Sequence, residues 1–250
     1  VVSAALVFSY SNFKYLKLCN LVFISEDVKT NKKGKSDYNN LKNLIKKTLK
    51  NLNKKTILVI LSQMKPGFVR SINFPKNRLF YQVETLVFGN AVNRALKPER
   101  IIVGTENKST KIKSIYLNYL KSFACPILKM NYESAEITKI AINLLLASSV
   151  TTTNVLSELC EKNSADWQDI MPALKLDKRI RKFSYIKPGL GISGGNIERD
   201  IVAAKNLLEK NQPLYVTLNN FLKSSDYMQD WVKRILIKRK FLNKKKMNIG

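Results

Sequence analysis

The feature that most constrains the fold is a stretch of 27 residues, 134 to 160, that contains neither proline nor glycine. Proline and glycine are the residues that most weaken a helix, and the apolar residues of this stretch recur at helical spacing. The stretch therefore predicts one long helix of about 40 Å, at about 1.5 Å per residue. The patterns before and after this helix differ.

Ahead of the long helix, short apolar runs alternate with amphipathic stretches. The pattern predicts strands at 21–24, 56–61, 79–81, 101–103 and 126–128, and helices at 38–52, 88–96 and 111–123. Strands that alternate with helices are typical of a parallel α/β sheet with right-handed crossovers. Behind the long helix, the sequence predicts only helices, at 164–176, 198–210 and 213–240. We therefore predict an α/β half followed by an all-helical half.

The composition excludes several kinds of site. The chain has 250 residues and no histidine, which excludes Ser-His-Asp triads, histidine bases and most zinc sites, so no metal is expected. Cys19, Cys125 and Cys160 show no CxxC spacing, which favours free thiols in a reducing compartment and hence a cytoplasmic protein. The apolar run 1–8 is too short to span a bilayer and has no basic flank. We therefore expect neither a signal peptide nor a membrane partner.

The net charge of +26 has more than one explanation. Lysine and asparagine are common throughout the chain, which indicates compositional drift, and an anionic substrate would use part of the charge. Nucleic acid is the alternative partner. However, the lysines are spread over loops and helix faces, and only 238–240 and 244–246 are tight basic runs. We therefore expect no nucleic-acid partner.

The segment 188–200, PGLGISGGNIERD, contains the densest glycine cluster of the chain. Glycine permits a positive φ and lets the backbone approach another group closely. The cluster therefore predicts a backbone that passes close to a second group. An ordinary loop between two helices is the alternative.

Three polar residues of the long helix, Glu136, Lys139 and Asn143, lie at positions i, i+3 and i+7 and hence on one predicted face. A solvated polar face is the common explanation of such spacing. Here most residues from 137 to 146 are apolar, which favours partial burial and a functional role.

Several motifs of the chain occur together, in order, in one known family. They are VFISEDVKT at 22–30, SQMKPG at 62–67, YQVE at 81–84, PERIIVG at 98–104, SAEITK at 134–139 with Asn143, LCEK at 159–162 with AD at 165–166, and the glycine cluster. Over roughly residues 21 to 247 the chain resembles the UDP-glucose/GDP-mannose dehydrogenase family. A variant branch with SQVPPGF, YQVETLVFG and GGNLERD is the most similar pattern.

The resemblance implies a protein of three parts: a Rossmann domain that binds NAD, a central helical dimerisation domain, and a last domain that helps to bind the nucleotide sugar. On this basis residues 1–131 are the later part of a Rossmann-like sheet whose first βαβ unit is missing. Residues 132–222 are the central domain, and residues 223–250 are a linker helix and the start of the last domain. The chain is therefore expected to be a fragment, inactive alone, of a homodimer that binds UDP-glucose or a similar nucleotide sugar.

The resemblance also assigns roles to single residues. Lys139 and Asn143 correspond to the residues that hold the developing oxyanion at the sugar C6. Asp200 corresponds to the aspartate that takes the hydroxyl proton through a water, although an N-cap is its alternative role. Glu84 corresponds to the carboxylate that supports hydrolysis. The remaining positions are Thr85, Leu86, Gly189, Gly191, Gly194 and Gly195 for the substrate, and Thr30, Ser62, Gln63 and Arg199 for NAD.

Asn196 stands where the family has its nucleophilic cysteine. An amide cannot supply the thiolate that traps the aldehyde and is then oxidised to a thioester. Oxidation could therefore stop at the aldehyde, proceed through the aldehyde hydrate, or be lost. The sequence favours NAD-dependent oxidation of the C6 hydroxyl of a nucleotide sugar, and the alternative is a non-catalytic nucleotide-sugar-binding or structural homologue.

Overall fold

The structure, a computed structural model, describes residues 12–29, 31, 36–86, 89–180, 182–192, 195–210 and 212–239. The chain divides into two compact units, Val1–Lys139 and Ile140–Gly250. Among the predicted site residues, Thr30 and Gly194 lie outside the described residues.

The first unit is built on a five-stranded sheet whose strand order follows the sequence. The strands are β1 (Leu21–Ile24), β2 (Ile57–Ile60), β3 (Leu79–Gln82), β4 (Ile101–Thr105) and β5 (Ile127–Asn131). β1, β2 and β3 are parallel to one another, and β5 is parallel to β4. The short apolar runs form strands because a parallel strand buried on both faces carries apolar side chains throughout, and β2 is buried along its whole length.

One pair of strands differs from the prediction, because β4 runs antiparallel to β3. A parallel return needs a crossover that packs on the sheet, usually a helix. In the described residues of the connection from β3 to β4, the one helix is α3 (Ala91–Leu96), which has no buried residue. The α/β, mainly parallel fold is confirmed, and the uniformly parallel sheet is wrong at this pair.

Helices cover both faces of the sheet. One face packs against α1 (Asn39–Lys50), α2 (Phe68–Ser71) and a 3-10 helix at Phe13–Leu18. The opposite face packs against α4 (Ser114–Lys121), whose Tyr116 is fully buried. The unit thus has the three layers that a parallel α/β sheet requires.

The second unit is helical, as the sequence predicts. The long helix α5 (Tyr132–Lys162) contributes its first eight residues to the first unit and the rest to the second. It is followed by α6 (Trp167–Leu176), α7 (Gly195–Lys205), α8 (Pro213–Gln229) and α9 (Trp231–Lys238). The core joins Ala147 and Val150 of α5 to Ile201 of α7 and to apolar residues of α8. The single helix predicted for 213–240 is instead two, which meet at Asp230, a residue of low helix propensity.

The glycine segment is fixed to two helices of the second unit. The Gly189 N–H donates to Oδ1 of Asn154 on α5 at 2.9 Å, and the Ile192 N–H donates to Oγ of Ser225 on α8 at 2.9 Å. Between them, Gly191 has φ +87°, and a Cβ there would lie 2.7 Å from the Ser225 carbonyl oxygen. The close approach predicted from the glycines is therefore, at Gly191, an approach to α8.

The change Gly191→Ala is expected to destabilise the second unit by about 2–4 kcal/mol, because the methyl group meets α8 and the positive φ strains a residue with a Cβ. Gly189→Ala is the matched control, since a Cβ there meets nothing within 4 Å. We expect the control to change stability by less than about 1 kcal/mol. Denaturant unfolding measures both, and equal losses in the two variants would contradict this packing.

Candidate functional site

Five of the predicted site residues of the first unit lie after the carboxyl ends of two parallel strands. Ser62 and Gln63 follow β2, and Glu84, Thr85 and Leu86 follow β3. Because β2 and β3 are parallel, both segments leave the sheet at the same edge, where α/β proteins bind their ligands. The structure thus brings these five residues to one edge of the sheet.

Ser62 has an unusual environment for a hydroxyl group. The residue is only 4% exposed, and its buried Oγ has no hydrogen-bond partner among the described residues. Buried polar groups are normally paired, so each exception needs an explanation. A ligand group that hydrogen-bonds to this hydroxyl would satisfy it.

Glu136 anchors the loop that follows β2. Its carboxylate is 1% exposed and accepts hydrogen bonds from the backbone N–H groups of Gly67 at 2.6 Å and Val69 at 2.9 Å. Burial raises the pKa of Glu136 above the ordinary glutamate range, and the two N–H donors oppose that shift. The sequence placed Glu136 on a polar face but did not predict these bonds, because its partners lie almost seventy residues earlier.

Glu84 and Lys139 influence each other within the first unit. Burial raises the pKa of Glu84, while the Thr85 N–H, at 3.2 Å from Glu84 Oε1, and the charge of Lys139 lower it in part. Lys139 is itself partly buried on α5. The structure therefore places the predicted carboxylate within electrostatic reach of the predicted lysine.

Asn143 and Asp200 form the buried polar centre of the second unit. Asn143 is 6% and Asp200 1% exposed, and Nδ2 of Asn143 donates to Oδ2 of Asp200 at 2.5 Å. The Arg199 guanidinium, 9% exposed as a residue, lies 3.6 Å from the other Asp200 oxygen. A buried carboxylate is costly unless it is paired and hydrogen-bonded, and here it has both kinds of partner.

Lys139 precedes Asn143 by one turn of α5, which places the two on one face of a single helix. The spacing argument from the sequence therefore holds for the helix that carries them.

The start of α7 corrects two expectations. The helix begins at Gly195. It continues to Lys205 because no proline or glycine interrupts residues 196–205. Asn196 is thus the second residue of the helix and is exposed, rather than part of the glycine loop. Asp200 lies inside the helix, so the alternative of an N-cap is wrong, and Asp200 instead lies one turn beyond Asn196.

A cavity of about 300 Å³ lies next to the glycine segment in the second unit. It is lined by α6 and by residues 184–188, and includes Trp167, Lys175, Tyr185 and Lys187. The indole N–H of Trp167 is buried and has no hydrogen-bond partner in the described part of the chain. Two cations, two aromatic rings and an unpaired donor suit an anionic ligand with a planar group. The sequence alone does not reveal this cavity, because its lining comes from two separate segments.

Known proteins are similar both to the central part of the chain and to most of its length. Residues 133–224 match the central domain of the UDP-glucose/GDP-mannose dehydrogenase family. The UDP-glucose 6-dehydrogenase of Rickettsia prowazekii is 29% identical over 213 residues, which cover 82% of this chain and 48% of that protein. The UDP-glucose 6-dehydrogenase TuaD of Bacillus subtilis is 29% identical over 197 residues, which cover 75% of this chain and 42% of that protein.

Solved structures share the fold. A UDP-glucose dehydrogenase from the archaeon Pyrobaculum islandicum superposes with a TM-score of 0.80 at 23% identity, covering 93% of this chain and 56% of that one. The chain thus spans about half the length of the relatives that it matches. From the motifs, the fold and these matches, the chain belongs to the UDP-glucose/GDP-mannose dehydrogenase family, with residues 133–224 in its central domain.

Proposed function

We propose that the protein that contains this chain oxidises the C6 hydroxyl of a nucleotide sugar, such as UDP-glucose, to the aldehyde with NAD. The observation that carries the proposal is the buried Asn143–Asp200 pair, which lies one helical turn beyond Lys139 in a chain of this family. Because the chain covers about half of its relatives, the activity is proposed for the whole protein.

NAD, when bound, supplies the acceptor for the hydride that leaves C6. The carboxyl edge of the sheet fits this cofactor, because Ser62 offers a buried hydroxyl without a partner among the described residues. Ser62 and Gln63 would hold the cofactor there. Thr30 and Arg199 are the other two residues that the family resemblance assigns to it.

The chain's own residues would stabilise the charge that develops on the sugar and accept the hydroxyl proton. The Lys139 ammonium and the Asn143 amide stabilise the negative charge that develops on the C6 oxygen. The Asp200 carboxylate accepts the hydroxyl proton through a water. Glu84, the fourth residue, corresponds to the carboxylate that supports hydrolysis in the family, a step that follows the thioester and is not needed for an aldehyde product.

The second unit offers groups for the rest of the substrate. The glycine segment lies beside the cavity that contains Lys175 and Lys187, whose charges suit a diphosphate. Asn154, which fixes that segment, also keeps a buried amide nitrogen without a hydrogen-bond partner among the described residues. These groups suit the binding of an anionic ligand that is rich in hydroxyl groups. A cytoplasmic location, where nucleotide sugars are used, is part of the same proposal.

Asn196 decides the extent of the reaction. Its amide is exposed at the start of α7, one turn before Asp200, and can hydrogen-bond but cannot form a thiohemiacetal. Without that covalent intermediate, the reaction ends after the first oxidation, from the alcohol to the aldehyde. The same residue favours the second candidate function, a nucleotide-sugar-binding protein without turnover.

We expect the full-length protein to form one NADH per UDP-glucose consumed, with an aldehyde product that hydroxylamine captures. Lys139→Ala should lower the rate by about 100-fold or more, since the oxyanion loses its cation. Two NADH per sugar would show that an acid forms by another route. Binding without NADH across a panel of nucleotide sugars would favour the non-catalytic alternative.

The second part of the proposal concerns what packs against the exposed apolar face of α5. α5 is the one described helix that is long and apolar enough to span a membrane. An 18-residue stretch of it has a mean hydropathy of 1.4, and 33% of that stretch is buried. Leu145, Leu156 and Leu159 are 71%, 37% and 50% exposed, and they follow a heptad-like spacing on one face of the helix. We propose that a second copy of the protein covers this face, and that the protein does not enter membranes.

The variant Leu145→Glu with Leu159→Glu is expected to convert a dimer to a monomer, because charges at a packed apolar face are desolvated without partners. Light scattering after size-exclusion chromatography measures the mass. Leu176→Glu, at an 84% exposed position of α6, is the control and should leave the mass unchanged. A wild-type monomer, or sedimentation with membranes, would contradict the proposal.

A further inference from the structure

Seven lysines form an exposed basic surface on the first unit. They lie on the 3-10 helix that precedes β1, on the second half of α1, and on the loop between α1 and β2. All of them are exposed; we call them the amino-edge lysines: Lys14, Lys17, Lys46, Lys47, Lys50, Lys54 and Lys55.

The three segments are fixed to one another. Nδ2 of Asn53, in the loop, donates to the Lys17 carbonyl at 2.7 Å, and Oγ1 of Thr56 donates to the Cys19 carbonyl at 2.8 Å. Leu16 of the 3-10 helix and Ile45 of α1 are buried in the same core. The lysines therefore project from a rigid scaffold rather than from a mobile tail.

Acidic side chains do not neutralise this surface. The sequence has no aspartate or glutamate in residues 12–25 or 38–83. None of the seven lysines forms an ion pair with a carboxylate in the described part of the chain. The sequence predicts lysines that are spread evenly over loops and helix faces. Such a distribution would not produce a basic surface of this kind.

The surface lies at the wrong edge of the sheet to serve the substrate. The 3-10 helix ends just before β1 and the loop ends just before β2, so both lie at the amino ends of these parallel strands. The candidate site residues Ser62 and Glu84 follow the carboxyl ends. An anionic substrate at the carboxyl edge therefore leaves the amino-edge lysines without a role.

We propose that the amino-edge lysines bind the phosphate backbone of nucleic acid, without sequence preference. Lys46 and Lys50 are one helical turn apart, about 6 Å along the axis, which suits successive phosphates of an extended strand. The exposed amide of Asn43 continues this row. The Lys14 ammonium lies over the ring of Tyr15, 5.2 Å from its centroid, which adds a half-exposed aromatic group to the same surface.

An anionic membrane suits this surface less well. A helix that binds a bilayer inserts its apolar face between the lipids. The apolar face of α1 is already used, because Leu41 and Ile45 are buried in the core and no apolar residue of α1 is exposed. The outer face of α1 presents lysines and asparagines only.

The test measures binding of the full-length protein to a labelled single strand and to a duplex of the same sequence, between about 50 and 200 mM salt. The variant Lys46→Gln, Lys50→Gln, Lys54→Gln removes three charges. The control, Lys108→Gln, Lys111→Gln, Lys113→Gln, removes three exposed charges from the connection between β4 and α4. Both variants have the same net charge, so the comparison isolates the position of the charges.

We expect the first variant to bind at least about 10-fold more weakly and to lower the slope of log affinity against log salt by about 2 to 3, at about 0.7–0.9 per lost phosphate contact. The control should change affinity less than about 2-fold. Equal losses in both variants, no binding by the wild type, or binding only to phosphatidylglycerol vesicles would each overturn the proposal. Nucleotide-sugar binding should stay unchanged in both variants, so the result is independent of the proposed enzyme activity.

Discussion

The continuity of α5 is the constraint on which the rest of the structure depends. One helix of 31 residues supplies buried polar side chains to both units of the chain. Glu136 holds backbone amides of the loop after β2, Asn143 holds Asp200 of α7, and Asn154 holds the amide of Gly189. Each of these side chains thus fixes a backbone amide or a carboxylate of another segment through a hydrogen bond.

Burial of these polar and charged groups costs free energy, and hydrogen bonds with well-placed partners offset that cost. A carboxylate in a protein interior loses its hydration, and removal of one partner leaves an uncompensated charge, which costs about 3–5 kcal/mol. Glu136 has two backbone donors, and Asp200 has an amide and a guanidinium. A chain that served structure alone could use apolar residues at such positions. The proposed oxidation at Lys139 and Asn143 would give these polar groups a role that apolar residues cannot fill.

Local patterns were sufficient to predict most of the elements. The strand Leu21–Ile24 and the helix α5 are confirmed because their patterns do not depend on distant partners. The direction of β4 is set by how the chain returns after β3, which no local pattern encodes. Likewise, the sequence left an N-cap as the alternative role of Asp200, because no local pattern shows its partner Asn143, which lies 57 residues away. The cavity beside Trp167 needed the fold for the same reason.

The measurement that tests the central claim most directly exchanges the two members of the buried pair, in the variant Asn143→Asp with Asp200→Asn. The exchange keeps one donor and one acceptor in place, so the free energy of unfolding should change by no more than about 1–2 kcal/mol. If the pair takes part in sugar oxidation, turnover of UDP-glucose should fall by about 100-fold or more, because the amide leaves position 143, one turn from Lys139, and the proton acceptor leaves position 200. A stable variant with wild-type turnover would contradict the account and make the pair a purely structural contact.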